Sequence, residues 1–335
     1  MTKTSGNVVW RTLIATLTLG AVLSCANLED SGEPSDDVDE SATAMPMSFT
    51  ELADQLDRDP APVETIKAHD DIAIAFRIYH ASKQENTDRP VLLFYHGGGA
   101  HSGAGYQSLG YTLAEDYGIT VVTPDLRGHG MSDGPVGDAP TVDAVYRDIS
   151  AMFGHLRSTH PDARIYIGGH SSGAGLLLNA LTSDYPPDAD GIFFVAPQFG
   201  FRAETDRNDH RESFAEARTF PFVVNAMTGG LLMGNSEAVR FNYPQDLLEG
   251  EPSMTPYNTV NMANAVTPRA PSEQLAELSS APTVWVAEED ELIDPGKVET
   301  FTRDHQPSAA FYRIDGKTHL SILLRTGELI GETIR

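Results

Sequence analysis

Three constellations of residues in this chain, the second of them a pair of separate stretches, can together carry out nucleophilic chemistry at a carbonyl. Gly169-His170-Ser171-Ser172-Gly173 sets a serine between glycines. A serine hydroxyl is a weak nucleophile until a base takes its proton. His319, in Gly316-Lys317-Thr318-His319, offers that base, and Asp290, in Ala287-Glu288-Glu289-Asp290, offers a carboxylate to fix its tautomer and stabilise the imidazolium. Glu288, Glu289 and Asp294 are close enough in sequence to compete with Asp290 for that role. The third constellation, Tyr95-His96-Gly97-Gly98-Gly99, leaves backbone N–H groups bare. The N–H of Gly98, paired with that of Ser172, is the predicted oxyanion hole, with Gly99 as the rival donor. A phosphate-binding loop is the competing reading of these glycines, but no Lys-Ser/Thr pair follows them. As a base, His319 must be neutral, so activity is expected to fall on acidification through about pH 6–7.

Chemistry of this kind requires the three groups to meet at one edge of a scaffold. Residues 91–95 are a continuous apolar run, as in a strand buried on both faces. Residues 63–68 and 72–80 are short apolar-rich runs joined at Asp70-Asp71, a hairpin pattern. Further strands are predicted over 119–122, 164–167, 191–195, 283–287 and 310–314. Helical spacing marks 107–117 and 142–156, and helices are also predicted over 172–182 and from 318 to 326. Eight strands alternating with helices imply an α/β fold, a mostly parallel sheet flanked by helices, with the first two strands antiparallel. Ser171 then falls in a tight strand-to-helix turn, where flanking glycines let the two elements approach and the helix N-terminus favours negative charge. Asp290 and His319 each follow a strand and so emerge on the same edge as Ser171. Residues 200–281 interrupt the alternation. A structureless loop of that length is implausible in a compact domain, so a mostly helical cap is expected there, inserted before the strand that precedes the acid. Phe220-Pro221-Phe222-Val223-Val224, Met227 and Leu231-Leu232-Met233 could line an acyl-chain tunnel or pack the cap onto the sheet.

The stretch from 94 to 197 resembles the monoacylglycerol lipase and lysophospholipase group of the α/β-hydrolase superfamily, relatives of the serine aminopeptidases. The resemblance rests on His96-Gly97-Gly98, on Asp125-Leu126-Arg127-Gly128-His129-Gly130-Met131-Ser132-Asp133-Gly134, on the pentapeptide around Ser171 and on Ala196-Pro197. The surroundings of Asp290 and His319 match as well, and the order Ser…Asp…His is that of this fold. The resemblance implies hydrolysis of acylglycerol or lysophospholipid esters with no cofactor, and metal catalysis has no support in the sequence, since the eleven histidines form no helix-spaced pair flanking a Glu. It departs at Ala174, where the group commonly carries a further glycine. His96, His129 and Asp133 read as structural, since none has triad partners in the required chain order.

The N-terminus reads as an address and an anchor. Residues 1–24 carry Lys3 and Arg11, no acid, and an uncharged run over 12–24 that is too short for a comfortable membrane span. That run ends in Val22-Leu23-Ser24-Cys25, which resembles the lipobox of bacterial lipoproteins; Cys25 is the only cysteine. The resemblance implies cleavage before Cys25, its lipidation, and a cell-envelope location, the outer membrane of a Gram-negative cell being favoured because Ala26 follows. Residues 26–45 hold seven acids, no base and no aromatic, a composition that cannot offset its own ordering entropy. A tether of 25–45 spans roughly 25 Å and holds a domain of 46–335 off a bilayer. With 48 acidic against 23 basic residues the net charge is −25, which repels phosphate backbones and argues against nucleic acid as a partner. Two competing readings remain: a proline-iminopeptidase-type peptidase, with cap acids Glu204, Asp206, Asp209 and Glu212 clamping an amino terminus, or a non-catalytic surface lipoprotein.

Overall fold

The computed structural model describes residues 52, 56, 58–81, 89–207, 214–251 and 253–335. The 1–24 leader, Cys25 and the 25–45 tether lie outside the described residues, as do Asp209 and Glu212.

The apolar runs become strands. Val63–Lys67 (β1) and Ala73–Tyr79 (β2) form the antiparallel hairpin, with Asp71 in its turn at φ 65°. Val91–Tyr95 (β3), Thr120–Pro124 (β4) and Ile165–His170 (β5) have every side chain buried, as strands covered on both faces must. Gly191–Val195 (β6) follows, then the interruption, with Thr283–Ala287 as β10 and Ala310–Ile314 as β11. Together they make an eight-stranded sheet in the order β1-β2-β4-β3-β5-β6-β10-β11. Neighbours from β4 to β11 pair in parallel, and β2 pairs antiparallel with β4. The chain runs from β3 to β4 on one side and then crosses to β5 on the other, so the strand order reverses at β3. Ligands in open parallel sheets bind beyond the strand ends at such a reversal.

Helices cover the sheet: Gln107–Asp116 (α1), Val142–Thr159 (α2) and Ser172–Leu181 (α3). The side chain of Thr141 caps α2 by accepting the N–H of Ala144. The interrupting segment is not mostly helical, contrary to expectation. It carries a three-stranded antiparallel sheet of Ala215–Ala217 (β7), Glu237–Phe241 (β8) and Tyr257–Thr259 (β9). Around it lie four short helices: Thr219–Met227 (α4), Gln245–Gly250 (α5), Val260–Val266 (α6) and Pro271–Glu277 (α7). Phe241, Tyr243 and Met254 form a small core of their own within this cap.

Two further differences lie in the C-terminal part. Pro295–His305 (α8), absent from the sequence expectation, is started by Asp294, whose Oδ1 accepts the N–H groups of Gly296 and Lys297. The last helix, Leu323–Ile334 (α9), begins five residues later than expected. Residues 318–321 close instead into a turn, in which the Ser321 hydroxyl accepts the Thr318 N–H at 2.9 Å. His319 therefore stands on a turn rather than inside a helix.

The 125–134 loop is anchored from within. Asp125 accepts the N–H groups of Ser102 (2.6 Å) and Met131 (2.8 Å), and Asp133 accepts that of Ala73 (3.0 Å). His129 Nδ1 donates to the Arg127 carbonyl at 3.0 Å. His96 donates from Nδ1 to the Gly97 carbonyl and accepts the Leu126 N–H at Nε2. All three residues read as structural are thus bound into this framework. Arg127 itself grips buried Asp148 through two contacts of 2.6 and 2.7 Å and reaches Asp70 at 3.0 Å. Burial pushes the Asp148 carboxyl up and Arg127 pulls it down. Removing one member of such a pair strands the other charge, so Arg127→Ala is expected to cost about 3–5 kcal/mol. Urea unfolding measures this directly.

Candidate active site

β5 ends at His170 and α3 begins at Ser172, so Ser171 alone makes the turn, at φ 55° and ψ −123°. A residue with a Cβ is strained there, by about 1–3 kcal/mol, and neighbouring contacts must hold it. Ser171 N–H donates to the Val195 carbonyl at 3.0 Å, and the Ser171 carbonyl accepts from Ala174 and Gln198 at 3.0 and 3.1 Å. The flanking glycines are sterically required. A Cβ on Gly169 would lie 2.5 Å from the Gly173 carbonyl carbon, and one on Gly173 would lie 2.5 Å from the His96 carbonyl oxygen. Ala174 fits fully buried, and the next close approach falls to Gly175, against the carbonyls of Gln198 and Val266.

The three predicted residues meet. His319 Nε2 lies 2.9 Å from Ser171 Oγ, and His319 Nδ1 lies 2.8 Å from Asp290 Oδ2. The other Asp290 oxygen accepts the N–H groups of Leu292 and Ile293, both at 2.9 Å, which locks the fully buried carboxylate in place. An ionised carboxylate only accepts, so Nδ1 carries the proton and Nε2 of the neutral ring is free to accept from the serine. The competing acids stand elsewhere. Glu288 and Glu289 are exposed, Glu288 facing Arg313, and Asp294 is the cap of α8. Burial pushes the His319 imidazolium down, but the charge and hydrogen bond of Asp290, helped by Glu291, outweigh it and leave the pKa above the ordinary histidine value. Glu291, which sequence reasoning passed over, accepts the His319 N–H at 2.9 Å. Its only sequence signal was its place beside Asp290.

Gly97 to Ala100 form a turn, with the Ala100 N–H donating to the Gly97 carbonyl at 3.3 Å and Gly99 at φ 69°. Gly98 faces α3: a Cβ there would lie 3.3 Å from Ser172 Oγ. Gly98 also lines the cavity that holds Ser171 and His319, whereas Gly99 packs away from it against Thr255, Tyr243 and Phe241. Of the two rival donors, Gly98 is the one in the wall of this cavity. The cap grips this turn from outside. Tyr243 donates its hydroxyl to the Gly98 carbonyl at 2.6 Å, and the Thr255 N–H donates to the Gly99 carbonyl at 2.8 Å.

The cavity has a volume of about 990 Å³. Its apolar wall comes from Leu52 and Leu56, from Leu320 and Leu323, and from Leu247 and Met254 of the cap. The apolar cap residues singled out from the sequence do not take part. Phe220, Val223, Met227, Leu231 and Leu232 are between 46% and 86% exposed. They neither line the cavity nor pack the cap onto the sheet. Glu204 and Asp206, the described members of the suggested amino-terminus clamp, are not in the cavity wall either; Asp206 accepts from Gln198 at 2.9 Å.

Comparison with known proteins follows this geometry. Residues 86–323 match the family described as serine aminopeptidase, S33. The chain belongs to that family. It has the α/β-hydrolase fold. It is 28% identical over 165 residues to the lysophosphatidylserine lipase ABHD12 of Gallus gallus, covering 46% of this chain and 41% of that protein. Monoglyceride lipase of Mus musculus is 25% identical over 115 residues, 34% of this chain and 37% of that one. The chain thus spans about two fifths of the length of the curated relatives it matches. Among solved structures, a soluble variant of monoglyceride lipase from Saccharomyces cerevisiae superimposes with a TM-score of 0.61 at 14% identity, covering 84% of this chain and 94% of the other. That likeness speaks for the fold.

Three buried histidines of this S33-family chain should titrate very differently. Burial, followed by His129 for His96 and by His319 for His170, holds these two down to about 3. NMR of the imidazole rings is expected to show both neutral at pH 5, with His319 protonating above the ordinary value of about 6.5. A His319 that titrates below that value would mean that Asp290 does not hold it.

Proposed function

We propose that this chain is a serine hydrolase that cleaves carboxylic esters of single-chain lipids, of the monoacylglycerol or lysophospholipid kind, through an acyl-enzyme on Ser171. The observation that carries the proposal is the hydrogen-bonded line Ser171–His319–Asp290 opening into a large cavity with leucine and methionine walls. As Ser171 Oγ attacks the ester carbonyl carbon, its proton passes to His319 Nε2, and the imidazolium forms beside the Asp290 carboxylate. The carbonyl oxygen, now negative, sits against the N–H groups of Gly98 and Ser172. The tetrahedral intermediate collapses, the bond to the leaving oxygen breaks, and His319 returns its proton to the departing alcohol. Water then gives a proton to His319 and attacks the acyl carbon; collapse releases the fatty acid and restores the serine. Because His319 must start neutral and its pKa is raised, kcat/KM is expected to lose its acid side above about pH 6.5, higher than an unperturbed histidine would place it.

The names of the relatives, lysophosphatidylserine lipase and monoglyceride lipase, support a lipid-like substrate. The peptidase reading has the family description behind it, but Glu204 and Asp206, the described members of the suggested clamp, do not line the cavity. The proposal includes a lipid anchor on Cys25 that keeps the domain beside its substrate. The exposed apolar residues of α4 and the following turn suit that setting: residues 219–236 hold no charge in a chain whose net charge is −25.

A fluorophosphonate probe is expected to label the full chain and to fail on Ser171→Ala, which should also lose at least about 10⁴-fold in kcat on medium-chain p-nitrophenyl esters. Absence of labelling, or an active Ser171→Ala, would end the proposal. For the anchor, Cys25→Ser is expected to abolish incorporation of an alkyne-tagged fatty acid and to release the protein from the membrane fraction; unchanged fractionation would remove the anchor.

A further inference from the structure

His170, beside the nucleophile, and Tyr106, at the start of α1, are fully buried and are not used by the mechanism above. They nevertheless join its two halves. The Gly97 N–H donates to the Tyr106 hydroxyl oxygen at 2.8 Å, and that oxygen lies 3.1 Å from His170 Nδ1. On the other side of the ring, His170 Nε2 lies 2.9 Å from the backbone carbonyl oxygen of His319. The proton positions follow from what each group can do. A carbonyl oxygen only accepts, so Nε2 of His170 carries a proton. In the neutral ring Nδ1 is then the acceptor, and the Tyr106 hydroxyl must donate to it while accepting from Gly97. Burial and the nearby His319 keep the His170 ring neutral, with a pKa of about 3, so this pattern holds across the working pH range. Every N–H and O–H of the line thus has its acceptor. Gly97 stands close to this line: a Cβ there would lie 3.3 Å from His170 Nδ1 and 3.2 Å from Ser171 Cβ, a tight approach to both.

We infer that Tyr106 and His170 are positioning residues, a buried strut that sets the oxyanion turn and the His319 backbone in register with each other across the nucleophile. One end fixes Gly97, immediately before the proposed donor Gly98. The other end fixes the turn that carries His319, whose backbone N–H is held separately by Glu291. The side chain of His319 is aimed by Asp290, but the carboxylate can only aim a ring whose backbone stays in place. The inference rests on Ser171, His319 and Asp290 being the reacting groups.

The two arms can be cut one at a time. Asn at 170 presents a carboxamide oxygen near the Nδ1 position and is too short to reach the His319 carbonyl. Gln at 170 can extend an N–H toward that carbonyl. Tyr106→Phe removes the shared hydroxyl. In the full chain, with kcat expressed per fluorophosphonate-reactive site and folding followed by circular dichroism, all three variants are read on a p-nitrophenyl ester from pH 5 to 9. The titratable groups against His319 are Asp290, Glu291 and His170. Loosening the His319 backbone weakens its contact with Asp290, so its raised pKa falls. His170→Asn is therefore expected to lose about 10- to 100-fold in kcat, with KM little changed and the acid limb moved to lower pH. His170→Gln should restore the wild-type limb and most of the rate. Tyr106→Phe should lower kcat with the limb unmoved, because only the oxyanion arm is cut. Folded variants with wild-type kcat and limb would overturn the strut, and so would losses that track only the folded fraction. A wild-type chain that neither labels nor hydrolyses would overturn the triad reading and the strut with it, which separates the two failures.

Discussion

The site depends on one strained residue. Ser171 is held at positive φ because the chain must leave β5 and enter α3 within a single residue. That turn throws the hydroxyl clear of the backbone and into the cavity, and it leaves the Ser172 N–H at the start of a helix, where negative charge is favoured. The strain of about 1–3 kcal/mol is tolerated because the surroundings over-determine the turn. Val195 and Gln198 bind the serine backbone on one side, and the glycines at 169 and 173 allow contacts that no side chain would permit. A side chain at 169 would push the strand from the helix, and one at 173 would push the helix from the end of β3.

Around that turn the protein is built from loops fastened to one another rather than from loops fastened only to the sheet. The cap, an insertion between β6 and β10, ends up holding the Gly97–Ala100 turn through Tyr243 and Thr255. The start of the same insertion pairs with the acid loop, since Asp294 N–H donates to the Thr205 carbonyl and Arg207 N–H to the Leu292 carbonyl. The region that shapes the cavity thus also braces two of the parts that act on the substrate. A change of substrate preference through the cap and a change of rate are physically coupled in this arrangement.

Much of this was legible in the sequence. The central strands announce themselves because strands covered on both faces are unbroken apolar runs, as in Val91-Leu92-Leu93-Phe94-Tyr95. Ser171 and Asp290 were legible because each follows a buried strand and His319 because it follows the edge strand Ala310–Ile314, and parallel strands bring their ends to one edge. The cap was not legible. β7 and β9 are three residues long, too short for alternation to register, and their partners are set by contacts within the cap. Phe220 and Leu231 look like core residues by type, yet burial depends on neighbours that composition does not reveal. α8 does carry a sequence signal, since Asp294-Pro295 is a helix start by itself, but the same aspartate also reads as a competing acid. The turn at 318–321 reads as helix in the sequence because the bond between Thr318 and Ser321 that closes it leaves no trace in residue spacing. Glu291, Tyr106 and His170 matter through hydrogen bonds to backbone, and a backbone partner leaves no mark in the sequence.

The central claim is that one serine, one histidine and two backbone N–H groups converge on a single carbonyl at the mouth of an apolar cavity. A crystal structure of the chain after reaction with a long-chain alkyl phosphonate, a stable mimic of the tetrahedral intermediate, tests it most directly. The account predicts phosphorus bonded to Ser171 Oγ, the phosphonyl oxygen within hydrogen-bonding distance of the Gly98 and Ser172 N–H groups, and the alkyl chain lying between Leu56 and Met254. Phosphorus on another residue, or an oxygen turned away from both N–H groups, would contradict it.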